Sequence, residues 1–363
     1  MELRSLGFDE HFSAAFHTYA ARGLKPGRVL LQYNHIYTVA TQDGEMSAQC
    51  SGKLRHAAYD GGEGGTLGQT PVTGDWVAVQ ASGAIGLIQA VLPRRSQFSR
   101  KAAGRAVREQ VIAANIDTAF LLVGLDNDFS PRRVERYLAA TWESGAAPVV
   151  VLNKLDLCPE PAARLAEINS VAVGVQVYAI SALLGDGVDD LAAYCEAGRT
   201  IALLGSSGVG KTTLLNRLLG SNELPTQPVR LHDGRGRHTT TRRELMFSPS
   251  GAMMIDTPGL RELQLWEGDE GVQATFDEIE TLARDCRFRD CRHQDEPGCA
   301  VRAAVDAGEL DPPRLASLHK LQSELAWLDR RQDQTAALAE KRRWKSIHKA
   351  AHRLQRESPK HER

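Results

Sequence analysis

Hydrophobic positions along the chain change their period twice. From Arg28 to Pro93 they recur at even spacings in short runs: Leu31, Tyr33, Tyr37 and Val39, then Met46, Ala48 and Cys50, then Val77 and Val79. IGLIQAVL at 85–92 is nearly continuous. A period of two is the pattern of strands covered on one face. Gly44, GGEGG at 61–65, Pro71, Gly74 and Gly83 break the runs. Four or five such strands in about 65 residues predict a small antiparallel barrel or sandwich, and the alternation leaves both open.

The segment 94–115, RRSQFSRKAAGRAVREQVIAAN, is basic at its start and is expected to be a linker. Beyond it the runs are apolar on both faces. IDTAFLLVGL (116–125) and APVVVLNK (147–154) predict parallel strands covered from both sides. Between them Ser130 is the expected N-cap and Pro131 the first helical residue, with Val134, Tyr137, Leu138, Thr141 and Trp142 on one face. Further strands at 175–180, 200–204 and 251–256 predict a doubly wound sheet. Past about residue 268 no strand is expected. Helical stripes follow at Leu315, Leu318, Leu325 and Leu328, and at Trp344, Ile347, Ala351 and Leu354. The expected organisation is an extension at 1–27, a β-barrel at 28–100, an α/β domain at 101–268 and a helical C-terminal domain at 269–363. A length of 363 residues agrees with more than one hydrophobic core.

The chemistry sits in the loops of the α/β segment. GSSGVGKT at 205–212 fits GxxxxGK[ST], between an apolar strand and an amphipathic helix. Gly205, Gly208 and Gly210 allow the backbone N–H groups of Ser206, Ser207, Val209 and their neighbours to turn inward. The helix that follows adds its positive end, so a polyphosphate is held by main chain. Lys211 would bridge the β- and γ-phosphates, the Thr212 hydroxyl would bind Mg²⁺, and Thr213 continues the first turn. MMIDTPGL at 253–260 ends a strand in Asp256, a carboxylate for the metal side, and Gly259 offers an N–H to a γ-phosphate. NKLD at 153–156 is a base reader. Asp156 accepts from the ring N–H and exocyclic amine of guanine, a pattern adenine does not offer, and Asn153 and Lys154 brace the pocket. SAL at 181–183 places Ser181 beside the base and the Ala182 N–H at the guanine O6. Together these predict a GTP/GDP and Mg²⁺ site.

Guanine-nucleotide switches usually run phosphate loop, switch threonine, DxxG, NKxD, SA. Here NKLD and SAL come first, which is a rotation of the same circle and moves the chain ends without moving the site. The rotation leads DTPG directly into the C-terminal domain, so nucleotide state is expected to set that domain's orientation. Within GRGRHTTTRREL (234–245), Thr240 is the expected switch ligand among Thr239, Thr240 and Thr241. Leu260 stands where a Ras-like enzyme has the water-orienting glutamine. His238 is the nearest candidate for positioning that water.

Six cysteines divide into scattered Cys50, Cys158 and Cys195 and a cluster, CRFRDCRHQDEPGC. Cys286, Cys291, His293 and Cys299 form the three-thiolate, one-imidazole set of a closed structural Zn²⁺ site. That usage indicates metal ligation in a reducing, cytoplasmic setting rather than a disulfide framework. Net charge is −1, yet Lys341–Arg363 holds nine Lys or Arg against Glu357 and Glu362, a local +7 (9 minus 2). With Arg287, Arg289, Arg292 and Arg302 near the cluster, this density suits phosphate backbones. No apolar run reaches the roughly 20 residues of a membrane span, and MELRSLGFDEHF lacks the order of an export signal.

On NKLD, SAL, GSSGVGKT, GRGRHTTT and DTPGL in rotated order, and on the Cys286, Cys291, His293, Cys299 cluster, the chain resembles the circularly permuted bacterial GTPases called RsgA or YjeQ. The resemblance covers nearly the whole chain. It implies an N-terminal OB-fold, a permuted GTPase core and a C-terminal zinc domain. It also implies docking on the small ribosomal subunit and its rRNA during late maturation, and slow turnover stimulated by that subunit. His238, Lys211 and Thr240 are then the catalytic candidates. DNA, a membrane and a second copy of the chain are not expected as partners. Two other readings stay open: a nucleotide-gated RNA-binding scaffold with little hydrolysis, which Leu260 would permit, and a membrane-surface GTPase using the basic terminal helix.

Overall fold

The structure is a computed structural model and describes residues 2–33, 35–60, 70–81, 85–101, 109–221, 243–256, 270–327 and 330. The N-terminal extension carries a helix, α1 (Glu10–Ala20), whose N-cap Asp9 accepts from the N–H groups of His11 and Phe12. Its Phe12 and Phe16 are buried, and Phe12 packs against Trp76. Five strands follow: β1 (Lys25–Tyr33), β2 (Ile36–Thr41), β3 (Gly44–Cys50), β4 (Trp76–Gln80) and β5 (Gly86–Val91), with helix α2 (Gly52–Asp60) between β3 and β4. They pair in the order β1-β2-β3-β5-β4, and β4 returns to β1. That closure makes a barrel, not a sandwich, and its connectivity is that of the OB-fold. Val29, Tyr37, Val39, Val77, Val79 and Ile88 fill it. A bulge between Val29 and Leu31 shifts the alternation of β1, which leaves Tyr33 57% exposed at the strand's end.

The segment expected to be a linker is a hairpin, β6 (Gln97–Lys101) with β7 (Glu109–Ala114). Its polar composition misleads because Phe98, Ile112, Ala113 and Ala114 are buried while side-chain bonds pin its base. Asn115, in the left-handed region at φ 55°, accepts from the Arg95 N–H at 2.9 Å and donates to the Gly74 carbonyl at 3.0 Å.

Six further strands are β8 (Thr118–Gly124), β9 (Ala147–Asn153), β10 (Val177–Ala179), β11 (Thr200–Gly205), β12 (Arg243–Phe247) and β13 (Met253–Asp256). Helices α3 (Pro131–Ser144), α4 (Pro161–Val171) and α5 (Lys211–Leu219) lie among them. The order β10-β9-β8-β11-β13 is parallel throughout. The chain builds outward from β8 to β10, then returns to lay β11 on the other side of β8. The crevice between β8 and β11 is therefore the switch point at which such sheets bind ligands, at their carboxyl ends. β12, unexpected at the end of a basic, threonine-rich stretch, pairs antiparallel with both β13 and β1. It thereby joins the barrel and the α/β sheet into one run of hydrogen-bonded strands.

At the opposite, amino edge of the sheet, Arg28 of β1 is buried. It donates to the Leu6 carbonyl (3.3 Å), the Asn115 carbonyl (3.0 Å) and the Thr200 hydroxyl (3.0 Å), tying the extension, the hairpin and β11 together. Burial lowers its pKa to about 10 against the pull of Asp117 and Asp75, so it stays charged at neutral pH. It borders a cavity of about 650 Å³ that shares no residue with the phosphate- and base-reading motifs.

After the α/β sheet come α6 (Glu270–Thr275), α7 (Asp277–Ala283), α8 (Ala300–Asp306) and a helix over 312–327, whose Leu318, Leu321 and Leu325 are buried. They cover α3 on the side away from the sheet, which explains why Glu135 and Ala139 are as buried as Val134 and Leu138. Approach is close: a Cβ on Gly271 would lie 2.2 Å from the Ala139 carbonyl. Arg314 locks the contact. It donates to Glu135 (2.8 Å), Glu278 (2.6 Å) and the Thr275 carbonyl (2.6 Å), and its guanidinium stacks 4.2 Å from the Phe276 ring. Removing one partner of a buried pair strands the other charge, at a cost of about 3–5 kcal/mol. Arg314→Ala is expected to lower the unfolding free energy by that order, read by urea denaturation followed through Trp fluorescence.

Candidate functional site

Every loop singled out from the nucleotide motifs and described by the structure leaves the carboxyl edge of the parallel sheet. β11 is buried along its length and ends at Gly205, and α5 begins at Lys211. Between them Gly205, Gly208 and Gly210 have φ of 151°, 76° and 102°, conformations that L side chains rarely adopt. Ser206 and Ser207 lie on the turn between, and Val209 is buried and anchors the loop in the core. The Lys211 ammonium donates to the Gly205 carbonyl at 2.8 Å and the Ser206 carbonyl at 2.6 Å. Thr212 and Thr213 occupy the first turn of α5, where backbone N–H groups are unpaired within the helix.

β9 ends at Asn153, whose buried amide joins three motifs. Its Nδ2 donates to the Val209 carbonyl of the phosphate loop at 2.8 Å, and its Oδ1 accepts from the Ala182 N–H at 2.8 Å. Contact with the phosphate loop is tight, since a Cβ on Gly210 would sit 2.2 Å from that Nδ2. Residues 153, 182 and 209, far apart in the chain, thus meet at one side chain. Ser181 is buried and donates to Asp156 Oδ1 at 2.6 Å, while its Oγ accepts from the Leu184 N–H at 3.1 Å. One carboxylate edge of Asp156 is fixed by this contact.

Three residues outside the expected set complete the frame. Arg217, in the last turn of α5, donates to the Ala182 carbonyl at 2.9 Å and the Leu183 carbonyl at 2.8 Å, holding the base loop from below. Asp126, just past β8, accepts from the Lys154 ammonium at 2.6 Å. Asp128 accepts from the Ser206 hydroxyl. The sequence signal of the two aspartates is position alone: carboxylates in the loop that follows an apolar strand.

The expected switch residues His238 and Thr240, together with Gly259 and Leu260, lie outside the described residues. Asp256 is the last residue of β13, paired in register with Leu203, which places its backbone at the same sheet edge as the phosphate loop. The basic terminal stretch 341–363 also lies outside the described residues. Among those described, no helix is long and apolar enough to cross a membrane.

A second centre lies in the C-terminal helices. The ligand atoms of Cys286, Cys291, His293 and Cys299 all fall within 4.8 Å of one another. Cys286 Sγ is 3.6 Å from His293 Nδ1 and 3.9 Å from Cys299 Sγ, and Cys299 Sγ is 3.5 Å from the same nitrogen. Metal–ligand bonds of about 2.0–2.3 Å in a tetrahedron require such edges. The loop is shaped to hold them. His293 takes φ 59°, and the Arg292 and Gln294 N–H groups flanking it donate to Glu296 at 3.0 and 2.9 Å. Those backbone donors hold the Glu296 carboxyl down to about 2. Cys299 also caps α8, its Sγ accepting from the Arg302 N–H at 3.4 Å, a bond that suits a thiolate.

A family model described as RsgA GTPase matches residues 91–266. The small ribosomal subunit biogenesis GTPase RsgA of Opitutus terrae is 51% identical over 359 residues, covering 96% of each chain. Its counterpart from Syntrophotalea carbinolica is 43% identical over 366 residues, covering 98% of this chain and 99% of the relative. Among solved structures, YjeQ from Thermotoga maritima superimposes with a TM-score of 0.63 at 26% identity, over 84% of this chain and 99% of that one. YloQ, described as a circularly permuted GTPase, gives a TM-score of 0.59 at 25% identity, over 84% and 95%.

Proposed function

Because the chain belongs to the RsgA family of GTPases, we propose that it binds the small ribosomal subunit in the cytoplasm and hydrolyses GTP to GDP and phosphate during late maturation of that subunit. The observation that carries the reading is Asn153, whose amide links the base-reading loops to the phosphate loop across the permuted order. On this reading Asp156, Lys154, Asn153, Ser181 and Ala182 read guanine, and residues 205–213 hold the phosphates. Lys211 leaves the two loop carbonyls it touches to meet the β- and γ-phosphates. Thr212 and Asp256 would take the magnesium side, Thr240 would be the switch ligand, the Gly259 N–H would meet the γ-phosphate and His238 would position water. Magnesium, when bound, neutralises charge developing on the phosphate oxygens.

The residues of the C-terminal cluster fit a structural Zn²⁺: three soft sulfurs, one imidazole and no fifth position among them. The barrel, the arginines beside the cluster and the basic terminus suit a partner made largely of RNA, held through its phosphates. As domain limits we propose 1–27, 28–100, 101–268 and 269–363, although the limit at 100 falls within β6 and divides the β6–β7 hairpin. Phosphate release from GTP, measured with and without purified small subunits, tests the proposal. Stimulation of wild type by the subunit, reduced about 10²-fold or more in Lys211→Ala, is the expected result. Equal rates with and without subunits would overturn it.

A further inference from the structure

The loop between β8 and α3 belongs to no nucleotide motif, yet it touches two of them. Asp126 uses both carboxylate oxygens: Oδ2 accepts from the Lys154 ammonium at 2.6 Å and Oδ1 from the Asp128 N–H at 3.0 Å. Asp128 likewise accepts from the Ser206 hydroxyl and pairs with Arg133 of α3 at 2.7 Å. Gly124 makes room for this turn, since a Cβ there would lie 2.5 Å from Asp126 Oδ1. The loop therefore spans the crevice between β8 and its neighbours on both sides, with the base reader at one end and the phosphate loop at the other.

Lys154 needs such a holder. It sits in the left-handed region at φ 69°, between β9 and the short 3₁₀ turn Leu155–Leu157 that carries Asp156. A lysine stem is long and loses rotamer freedom whenever it is ordered. If it is fastened before the nucleotide arrives, that loss is not charged to binding. The carboxylate is equipped for this. Burial alone would raise the Asp126 pKa, but the Lys154 ammonium and the Asp128 N–H outweigh it and hold the group below the usual range, ionised at neutral pH.

We infer that Asp126 is a positioning residue for guanine-nucleotide binding that acts through Lys154, with Asp128 fastening the same loop to the phosphate loop. This rests on the reading of Lys154 as part of the base pocket. Its action leaves a signature that a structural role would not: the effect of losing Asp126 disappears once Lys154 is gone. Calorimetric titration of the full-length chain with GDP measures it in four variants. Asp126→Asn preserves the shape and the turn but removes the charge, and is expected to weaken GDP about tenfold. Asp126→Glu keeps the charge within reach and is expected to stay within about threefold of wild type.

Lys154→Met is expected to weaken GDP at least as much as Asp126→Asn, and the double variant to match Lys154→Met within about twofold. Unchanged affinity in Asp126→Asn, or a double variant that loses the product of the two single effects, would overturn the inference and leave the base pocket standing. Unchanged affinity in Lys154→Met would overturn the base pocket as well.

Discussion

Asp156→Asn is expected to weaken GDP by about 10²–10⁴-fold and to create affinity for XDP, which the wild-type chain is expected to reject. Guanine presents two donors to this position, and a carboxylate offers acceptors to both. An amide offers one acceptor and one donor, so a guanine amine would face an N–H and lose its partner inside a formed pocket. Sites built around a specific hydrogen-bonding pattern discriminate by factors of this size. Xanthine replaces that amine with a carbonyl, which the amide N–H satisfies and the carboxylate repels. The orientation of the new amide is set in advance. Ser181, buried beside Asp156, donates to Oδ1 at 2.6 Å and so keeps the oxygen of Asn on its own side, turning Nδ2 toward the base. Titration of both diphosphates into both proteins reads the exchange directly.

Loss of the zinc proposed for the C-terminal cluster is expected to unfold its loop and release the neighbouring helices from α3. Binding of a structural zinc supplies about 10–16 kcal/mol of apparent free energy, all of it available to folding when the site does not pre-exist in the unfolded chain. The ligand loop has little else. Residues 287–298 bury none of their large side chains, and their order rests on Glu296, on the Arg302 contacts, on the Arg287 N–H to the Gly298 carbonyl, on the His319 contact with the Arg292 carbonyl and on the cysteines themselves. The cluster is joined to a small core of Ile279, Val301, Ala304 and Leu310, which leads to the Arg314 contact with α3. Elemental analysis should find one zinc per chain and none in Cys286→Ser. Hydrogen exchange after chelation should show lost protection at 277–310 and retained protection in β8, β9 and β11. Full protection of 277–310 without metal would contradict a structural role.

What could be read in advance, and what could not, divides along a physical line. The proposed phosphate and base loops are legible because a polyphosphate held by main chain demands glycines at fixed intervals, and guanine demands an acidic side chain just past a strand's end. The metal cluster was legible because its ligands lie within one short loop. The barrel's strands showed in their alternation, whereas its closure depends on β1 meeting β4, a pairing no local pattern encodes. Helix α1 does not show in the sequence pattern because Phe12 finds its cover on Trp76, far along the chain, and Phe16 packs on Phe8, which itself meets Trp76. β12 was missed because its three apolar residues serve different neighbours: Leu245 is buried while Phe247 is exposed. Asp126, Asp128 and Arg314 are ordinary charged residues by sequence. Each gains its role only because the fold brings it to a partner from another segment, over 28, 78 and 179 positions respectively.

We propose that base reader and phosphate reader, rotated apart in the chain, serve one nucleotide. Calorimetry with XDP on Asp156→Asn, alone and combined with Lys211→Ala, tests it most directly, because the nucleotide then enters through the altered base reader alone. One XDP per chain for the single variant, with affinity reduced at least about tenfold when Lys211 is also removed, is the predicted result. XDP binding that is indifferent to Lys211 would place the two readers in separate sites.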